Sequence, residues 1–164
     1  MIVIIDYGVG NLRSVQKSID RSGFKAIISN NIIDIKNSSK LILPGVGNFK
    51  HAINKLKSSL FIDEINHQVL EKKTPILGIC LGMQLMTKFS DEGNCEGLGW
   101  IDANTVKFNC GYKIPHIGWN TNFYVKKNIL SKGISKKDEF YFVHSYFVKT
   151  NNKNDDLFRS KYGN

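Results

Sequence analysis

The chain is poor in cysteine and proline, with three of each, and it has no CxxC pair. Cys80, Cys95 and Cys110 are odd in number and widely spaced, which argues against a disulfide framework and against a zinc site. Reduced thiols suit the cytoplasm. Long hydrophobic runs are missing too. The longest nearly apolar stretch, Ile76 to Met86, is too short to span a bilayer and contains two glycines. The start, Met1-Ile2-Val3-Ile4-Ile5-Asp6, has no basic n-region and reaches an acid after five residues, so it does not read as a signal peptide. A cytoplasmic location is the expectation. The net charge is +9, but dense basic runs are absent. The lysines are scattered and interleaved with asparagine, as in Lys126-Lys127-Asn128 and Asn152-Lys153-Asn154. That pattern reads as a solvated basic surface rather than a nucleic-acid site.

Nucleotide signatures fail as well. Asp6-Tyr7-Gly8-Val9-Gly10-Asn11 begins like a dinucleotide fingerprint, but the third glycine would fall at Arg13. There is no GxxxxGK[ST] loop, so NAD and ATP readings drop out. The four histidines show no metal spacing. His51 and His67 fall on helical patterns and read as surface residues. No cofactor and no metal are expected.

A chain of 164 residues, 41% hydrophobic and 23% charged, can build one domain with a sizeable core. Its first half alternates strand and helix patterns. Ile2 to Ile5 is a β-branched run suited to a strand buried on both faces. Asn11 can cap a helix carrying Leu12, Val15 and Ile19 on one side. Lys25 to Ser29, Lys40 to Leu43 and Pro75 to Ile79 read as further strands. Phe61 to Lys72 reads as a helix, with Phe61, Ile65 and Val69 at i, i+4 and i+8. This order implies a parallel sheet with helices on both faces. From Trp100 on, strand-like pieces alternate with turns: Ala103 to Phe108, Tyr112 to Ile114, Phe140 to Val143, Tyr146 to Thr150, and a start at Leu157 to Tyr162. They read as an antiparallel addition to the parallel core.

The chemistry points to Gly78-Ile79-Cys80-Leu81-Gly82. A nucleophile elbow places its nucleophile between a strand and a helix, on strained backbone that needs small neighbours. Gly78 and Gly82 meet that need, and the thiol replaces a serine hydroxyl. The helix beginning at Leu81 points its positive end at the sulfur, which favours the thiolate. A cysteine between packing glycines can also be purely structural; the strand before it and the helix after it favour the nucleophile. Pro44-Gly45-Val46-Gly47, directly after another strand, can turn backbone N–H groups into a pocket as an oxyanion hole. It also fits an ordinary strand-to-helix turn. His116 and His144, each set among aromatics, are general bases by residue type, and both also fit structural roles.

Together these residues resemble a class I, triad-type glutamine amidotransferase, whose fold is a flavodoxin-like α/β sheet. Within that class they are similar to the family of glutaminase subunits of imidazole glycerol phosphate synthase. The motifs are Ile5 to Ser14, Leu43 to Gly47, Gly78 to Gln84, Gly97 to Trp100, Pro115-His116-Ile117-Gly118-Trp119-Asn120, and Tyr141-Phe142-Val143-His144-Ser145-Tyr146. The resemblance implies that Cys80 attacks the side-chain amide of glutamine, forms a thioester and releases ammonia. It implies an oxyanion region at Gly45, Val46, Gly47 and the N–H of Leu81, and glutamine-holding roles for Gln84, His144, Ser145 and Tyr146. Asn11, His116, Trp119 and Asn120 would meet a (β/α)8-barrel synthase partner in a heterodimer. That partner would receive the ammonia and make imidazole glycerol phosphate and AICAR in histidine biosynthesis. Two other readings stand beside this one: a paralogue supplying ammonia for surface-sugar amidation, and a binding subunit without activity.

The sequence departs from the family in one respect. The family's His-Pro-Glu segment, which supplies the catalytic base and its orienting carboxylate, has no counterpart here. Residues 1–164 are therefore expected to be a single amidotransferase domain lacking its C-terminal portion and impaired in hydrolysis.

Overall fold

The structure is a computed structural model that describes residues 1–163. Its first half is a four-stranded parallel sheet in the order β2-β1-β3-β4. The strands are β1 (Ile2–Ile5), β2 (Ala26–Ser29), β3 (Lys40–Leu43) and β4 (Ile76–Gly78). Helices α1 (Leu12–Arg21), α2 (Ile32–Lys36), α3 (Phe49–Lys57) and α4 (Ile62–Asn66) form the connections, and α5 (Leu81–Leu85) follows β4.

Alternation along the strands decides what each face buries. Val3, Ile5, Leu41 and Leu43 point to one face and pack with Ile35 of α2, Phe49 and Ile53 of α3, Ile65 of α4 and Leu85 of α5. Ile4 and Ile42 point the other way, toward Leu12, Val15 and Ile19 of α1. Right-handed crossovers require this division. The chain steps from β1 outward to β2, then returns past β1 to β3 and β4, which sends α1 to one face and the later helices to the other. Helices thus lie on both faces, as the alternation predicts. Asn11 caps α1 by accepting from the Ser14 N–H at 3.3 Å. The α1 face is the thinner one: no α1 residue is fully buried, and Leu77 of β4 is 55% exposed.

The helix read over 61–72 is α4 continued by a π-helical stretch, His67–Glu71, in which the Lys72 N–H reaches back to the His67 carbonyl. Gln68 lies buried there, with its amide bonded to Glu64 and to the Thr74 hydroxyl. Helix α2 has no counterpart among the elements read from the sequence, and α3 corresponds only to the helical pattern that carries His51.

After α5 the strands are antiparallel or mixed. β5 (Phe89–Ser90), β6 (Cys95–Glu96), β7 (Ala103–Lys107) and β11 (Tyr146–Thr150) form a sheet in the order β11-β7-β5-β6. β8 (His116–Thr121) and β10 (Glu139–His144) form an antiparallel ribbon, and β9 (Phe123–Tyr124) pairs with β12 (Phe158–Arg159). Two expectations need correction. Tyr112 to Ile114 is not a strand; the ladder begins after Pro115, which has no N–H to donate, and runs over His116–Thr121. In the stretch from Leu157 to Tyr162 only Phe158–Arg159 pairs as a strand. The residues after it are held by side chains, with Ser160 Oγ donating to the Thr121 carbonyl and Asn120 Nδ2 to the Lys161 carbonyl.

Candidate active site

The strand order reverses between β1 and β3, and open α/β sheets bind ligands at the carboxyl ends beside such a switch point. Three loops meet at that edge: Asp6–Gly10 after β1, Pro44–Gly47 after β3, and Ile79–Cys80 after β4. Their contact is close enough that a Cβ on Gly10 would sit 3.2 Å from Pro44 Cβ, and one on Gly45 only 2.7 Å from the Gly82 nitrogen.

Cys80 has φ +54° and ψ −117°, a backbone conformation that an L residue holds only when its surroundings enforce it. The enforcement is visible. The Ile79 N–H donates to the Leu43 carbonyl at 3.0 Å, strapping the turn to the end of β3. A Cβ on Gly82 would lie 1.8 Å from that same carbonyl oxygen, and one on Gly78 would lie 2.6 Å from Met83 Cα. Neither position admits a side chain. The result is a tight strand–turn–helix that leaves Cys80 exposed at the sheet edge. Cys95 and Cys110 are also free thiols.

The Pro44–Gly47 loop is held from behind. Tyr7, buried, donates its hydroxyl to the Pro44 carbonyl at 2.7 Å. Burial pushes that phenol well above its ordinary range, so it stays a neutral donor. Asn48 caps α3 through the His51 N–H, and Glu92 accepts from the Phe49 N–H at 2.8 Å. Among the described residues no protein acceptor takes the N–H of Val46, Gly47 or Leu81. Such free donors beside an exposed thiol are what a developing oxyanion needs.

A glutamine amidotransferase class-I family model matches residues 3–162. The chain belongs to the glutamine amidotransferase class-I family. It is 48% identical to imidazole glycerol phosphate synthase subunit HisH 2 of Methanococcus maripaludis, over 100% of this chain and 82% of the relative. To subunit HisH 1 of Campylobacter jejuni serotype O:23/36 it is 49% identical, over 91% of this chain and 76% of the relative. To subunit HisH 2 of Pseudomonas aeruginosa it is 42% identical, over 99% and 82%. A crystal structure of a glutamine amidotransferase superposes with a TM-score of 0.76 at 16% identity, covering 97% of this chain and 80% of the other. Another from Thermotoga maritima gives 0.59 at 15% identity, covering 91% and 62%. The last two speak for the fold alone.

Most of this amidotransferase's remaining candidate residues lie on the antiparallel half. Gln84, buried on α5 one turn after Cys80, donates Nε2 to the Tyr146 carbonyl at 3.1 Å. His144 donates Nδ1 to the same carbonyl at 2.8 Å. The Ser145 carbonyl accepts from Phe108 N–H. Helix α5 and the His144–Tyr146 segment are thus joined at one oxygen. Trp119 stands 67% exposed on β8, whereas the His116 ring lies beneath that surface at 4% exposure. Asn11 and Asn120 both spend their side chains internally, on the α1 cap and on Lys161.

No histidine among the described residues hydrogen-bonds Cys80. The one histidine–carboxylate pair, His67–Glu71 at 2.8 Å, ends the helix that enters β4 and so stands at the amino edge of the sheet. Cys80 is at the carboxyl edge, a strand's length (roughly 10 Å) away. Sequence reading missed Tyr7 and Glu92 as supports of the glycine loop. Tyr7 had a signal, an aromatic two residues past the end of a buried strand; Glu92 had none, since its partner is on another element.

Proposed function

We propose that Cys80 hydrolyses glutamine and that the ammonia serves imidazole glycerol phosphate synthesis in histidine biosynthesis, as the names of the HisH relatives indicate. The observation that carries this is the left-handed Cys80 elbow, pressed against a glycine loop with unclaimed N–H groups. The Cys80 thiolate attacks the amide carbon of glutamine. The carbonyl oxygen becomes an oxyanion facing Val46, Gly47 and Leu81 N–H groups, each worth roughly 3 kcal/mol in such a role. Collapse breaks the C–N bond, and the nitrogen leaves as ammonia after taking a proton. Water then cleaves the thioester to glutamate and returns the thiol. Gln84 and the His144–Tyr146 segment frame the glutamine. The two proton transfers need a base at the carboxyl edge, which residues 1–163 do not bring to Cys80. These residues alone therefore bind glutamine and turn it over slowly.

The synthase partner, a (β/α)8 barrel in a cytoplasmic heterodimer, docks on the outer face of the β8–β10 ribbon. Ile117, Trp119, Tyr141 and Val143 stand exposed there, with the Trp119 and Tyr141 rings 5.5 Å apart. An exposed apolar patch of this kind marks an interaction surface. Among the described residues no helix is long and apolar enough to cross a membrane.

The test is glutamate release by the natural full-length chain with its synthase partner. Cys80→Ser should lower it at least about a thousandfold while leaving partner binding intact. Unchanged release by the Cys80→Ser protein would sink the proposal. A second reading draws on the numbered names, HisH 1 and HisH 2, of relatives in Campylobacter, Methanococcus and Pseudomonas. Numbering marks more than one such subunit per organism, so one copy can feed a different acceptor, such as a surface sugar. Rescue of a histidine auxotroph by the gene favours the first reading; failure of a well-expressed gene favours the second.

A further inference from the structure

His144 hydrogen-bonds neither Cys80 nor any exposed group. Its ring turns inward, 5.1 Å from Phe108, 5.5 Å from Phe142 and 5.3 Å from His116 between ring centres. His116 is its directly opposed cross-strand partner and is itself stacked between Phe142 and Tyr162, at 4.7 and 3.9 Å. The Tyr146 oxygen can only accept, so the bond to it requires a proton on His144 Nδ1. Nε2 is buried with no partner among the described residues. An orphaned buried polar atom is destabilising. A residue that only packed here would be better as phenylalanine.

The Nδ1 bond shows what the imidazole is for. The Tyr146 carbonyl receives two donors, His144 from its own strand connection and Gln84 from the nucleophile helix. Two donors fix the direction of that carbonyl. The carbonyl in turn fixes which end of the Gln84 amide faces it: Nε2 is committed, and Oε1 has no protein partner among the described residues. An amide whose nitrogen is tied can present only its oxygen, an acceptor suited to the α-ammonium or amide N–H of a glutamine. The Gln84 N–H also bonds the Cys80 carbonyl at 3.3 Å, so the chain of contacts ends at the nucleophile.

We propose that His144 is a positioning residue: through the Tyr146 carbonyl it sets the orientation of the Gln84 amide that receives glutamine beside Cys80. The proposal rests on the glutamine reading of that site. It also gives the β8–β10 ribbon a mechanical link to the glutamine site, because His144 is the last residue of β10 and its ring packs on the underside of the ribbon. Movement of the ribbon displaces His144 before it displaces Cys80.

The experiment measures protection of Cys80 by glutamine in the natural full-length chain. Iodoacetamide alkylates the thiol, mass spectrometry reads the Cys80 peptide, and increasing glutamine slows the labelling. Two variants separate packing from hydrogen bonding. His144→Phe keeps the ring and removes the donor; His144→Asn loses the ring but returns an N–H donor at the Nδ1 position. The expected result is a half-protecting glutamine concentration raised about tenfold in His144→Phe and within about threefold of wild type in His144→Asn. Labelling without glutamine should be the same in all three. Equal protection of wild type and His144→Phe overturns the inference while leaving the glutamine reading intact. Absence of protection in wild type overturns that reading, and this inference with it. A measurement on the unmutated protein guards against misfolded variants: nitrogen NMR of the His144 ring should show a proton on Nδ1, and an unprotonated Nδ1 would overturn the inference independently.

Discussion

The two halves of the chain are stabilised differently. Among the described residues every buried hydrophobic side chain except Ala103 lies between Val3 and Met86. The later half relies instead on the buried His116 and on partly buried aromatics and a histidine, Phe108, Phe142, His144, Phe147 and Tyr162, stacked under a ribbon whose outer face is open. The first half fixes atoms to within tenths of an ångström, as the glycine contacts at the elbow require. The second half supplies a surface and a handle. A strained elbow needs surroundings that cannot relax, whereas a region with few fully buried side chains opens at lower cost.

The largest effect that tests this contrast comes from adding one methyl group in each half. Gly82→Ala would force its Cβ onto the Leu43 carbonyl, 1.8 Å away, so the elbow must come apart. The expected loss is about 3 kcal/mol or more of stability, with loss of glutaminase activity in whatever remains folded. Gly118→Ala, on the ribbon, meets no atom within 4 Å and suffers only its φ of +139°. The expected loss there is about 1–2 kcal/mol. Urea unfolding of both variants decides; equal losses would mean that the ribbon is as tightly specified as the elbow.

Large side chains give the next test. Phe49 is fully buried at the start of α3, and Phe49→Ala should cost about 3–5 kcal/mol through cavity formation. Trp119 is larger but exposed, so Trp119→Ala should change stability by less than about 0.5 kcal/mol. The same substitution should weaken partner binding at least about tenfold if the ribbon is the docking face. A destabilised Trp119→Ala protein with unaltered partner affinity would reverse the roles assigned to the two halves.

The same contrast explains what could be read from the sequence. β1, β3, α1 and the elbow were legible because local pattern and tertiary role agree there: β-branched runs, an Asn11 cap, glycines flanking Cys80. The alternation of Val3, Ile4 and Ile5 even assigns residues to faces. The β8 strand was not legible, since Pro115-His116-Ile117-Gly118 carries a proline and a glycine and owes its extended form to pairing with β10. Helix α2 escaped because its five residues make a single short turn whose stability comes from Ile35 packing into the core. At the site, the glycine-flanked motif named Cys80 and the family resemblance named Gln84, but no pattern in a single sequence announces that Gln84 and His144 share the Tyr146 carbonyl. That junction joins elements 62 positions apart.

The smallest effect is a difference in how the halves answer to acid. The buried polar side chains of the parallel half are Gln68, Gln84 and Thr87, none of which takes up a proton. The ribbon buries His116, whose imidazole is held below the usual histidine range, first by burial and then by the charge of neighbouring His144. As pH falls through about 6.5 the unfolded chain binds a proton at this position before the folded chain does. The stability that neutral His116 contributes is therefore complete above that pH and is lost as the pH drops toward the folded value. The two tryptophans report separately on the halves, since Trp100 packs against the parallel core and bonds Asn66, while Trp119 stands on the ribbon. In single-tryptophan proteins, Trp100→Phe and Trp119→Phe, the two fluorescence melts should coincide near pH 8 and separate near pH 5.5, the ribbon signal moving a few degrees lower. His116→Phe should close that gap, because a phenyl ring fills the same stack without titrating. Melts that coincide at both pH values would show the two halves unfolding as one cooperative unit, with the acid-sensitive packing of the ribbon felt equally by the elbow.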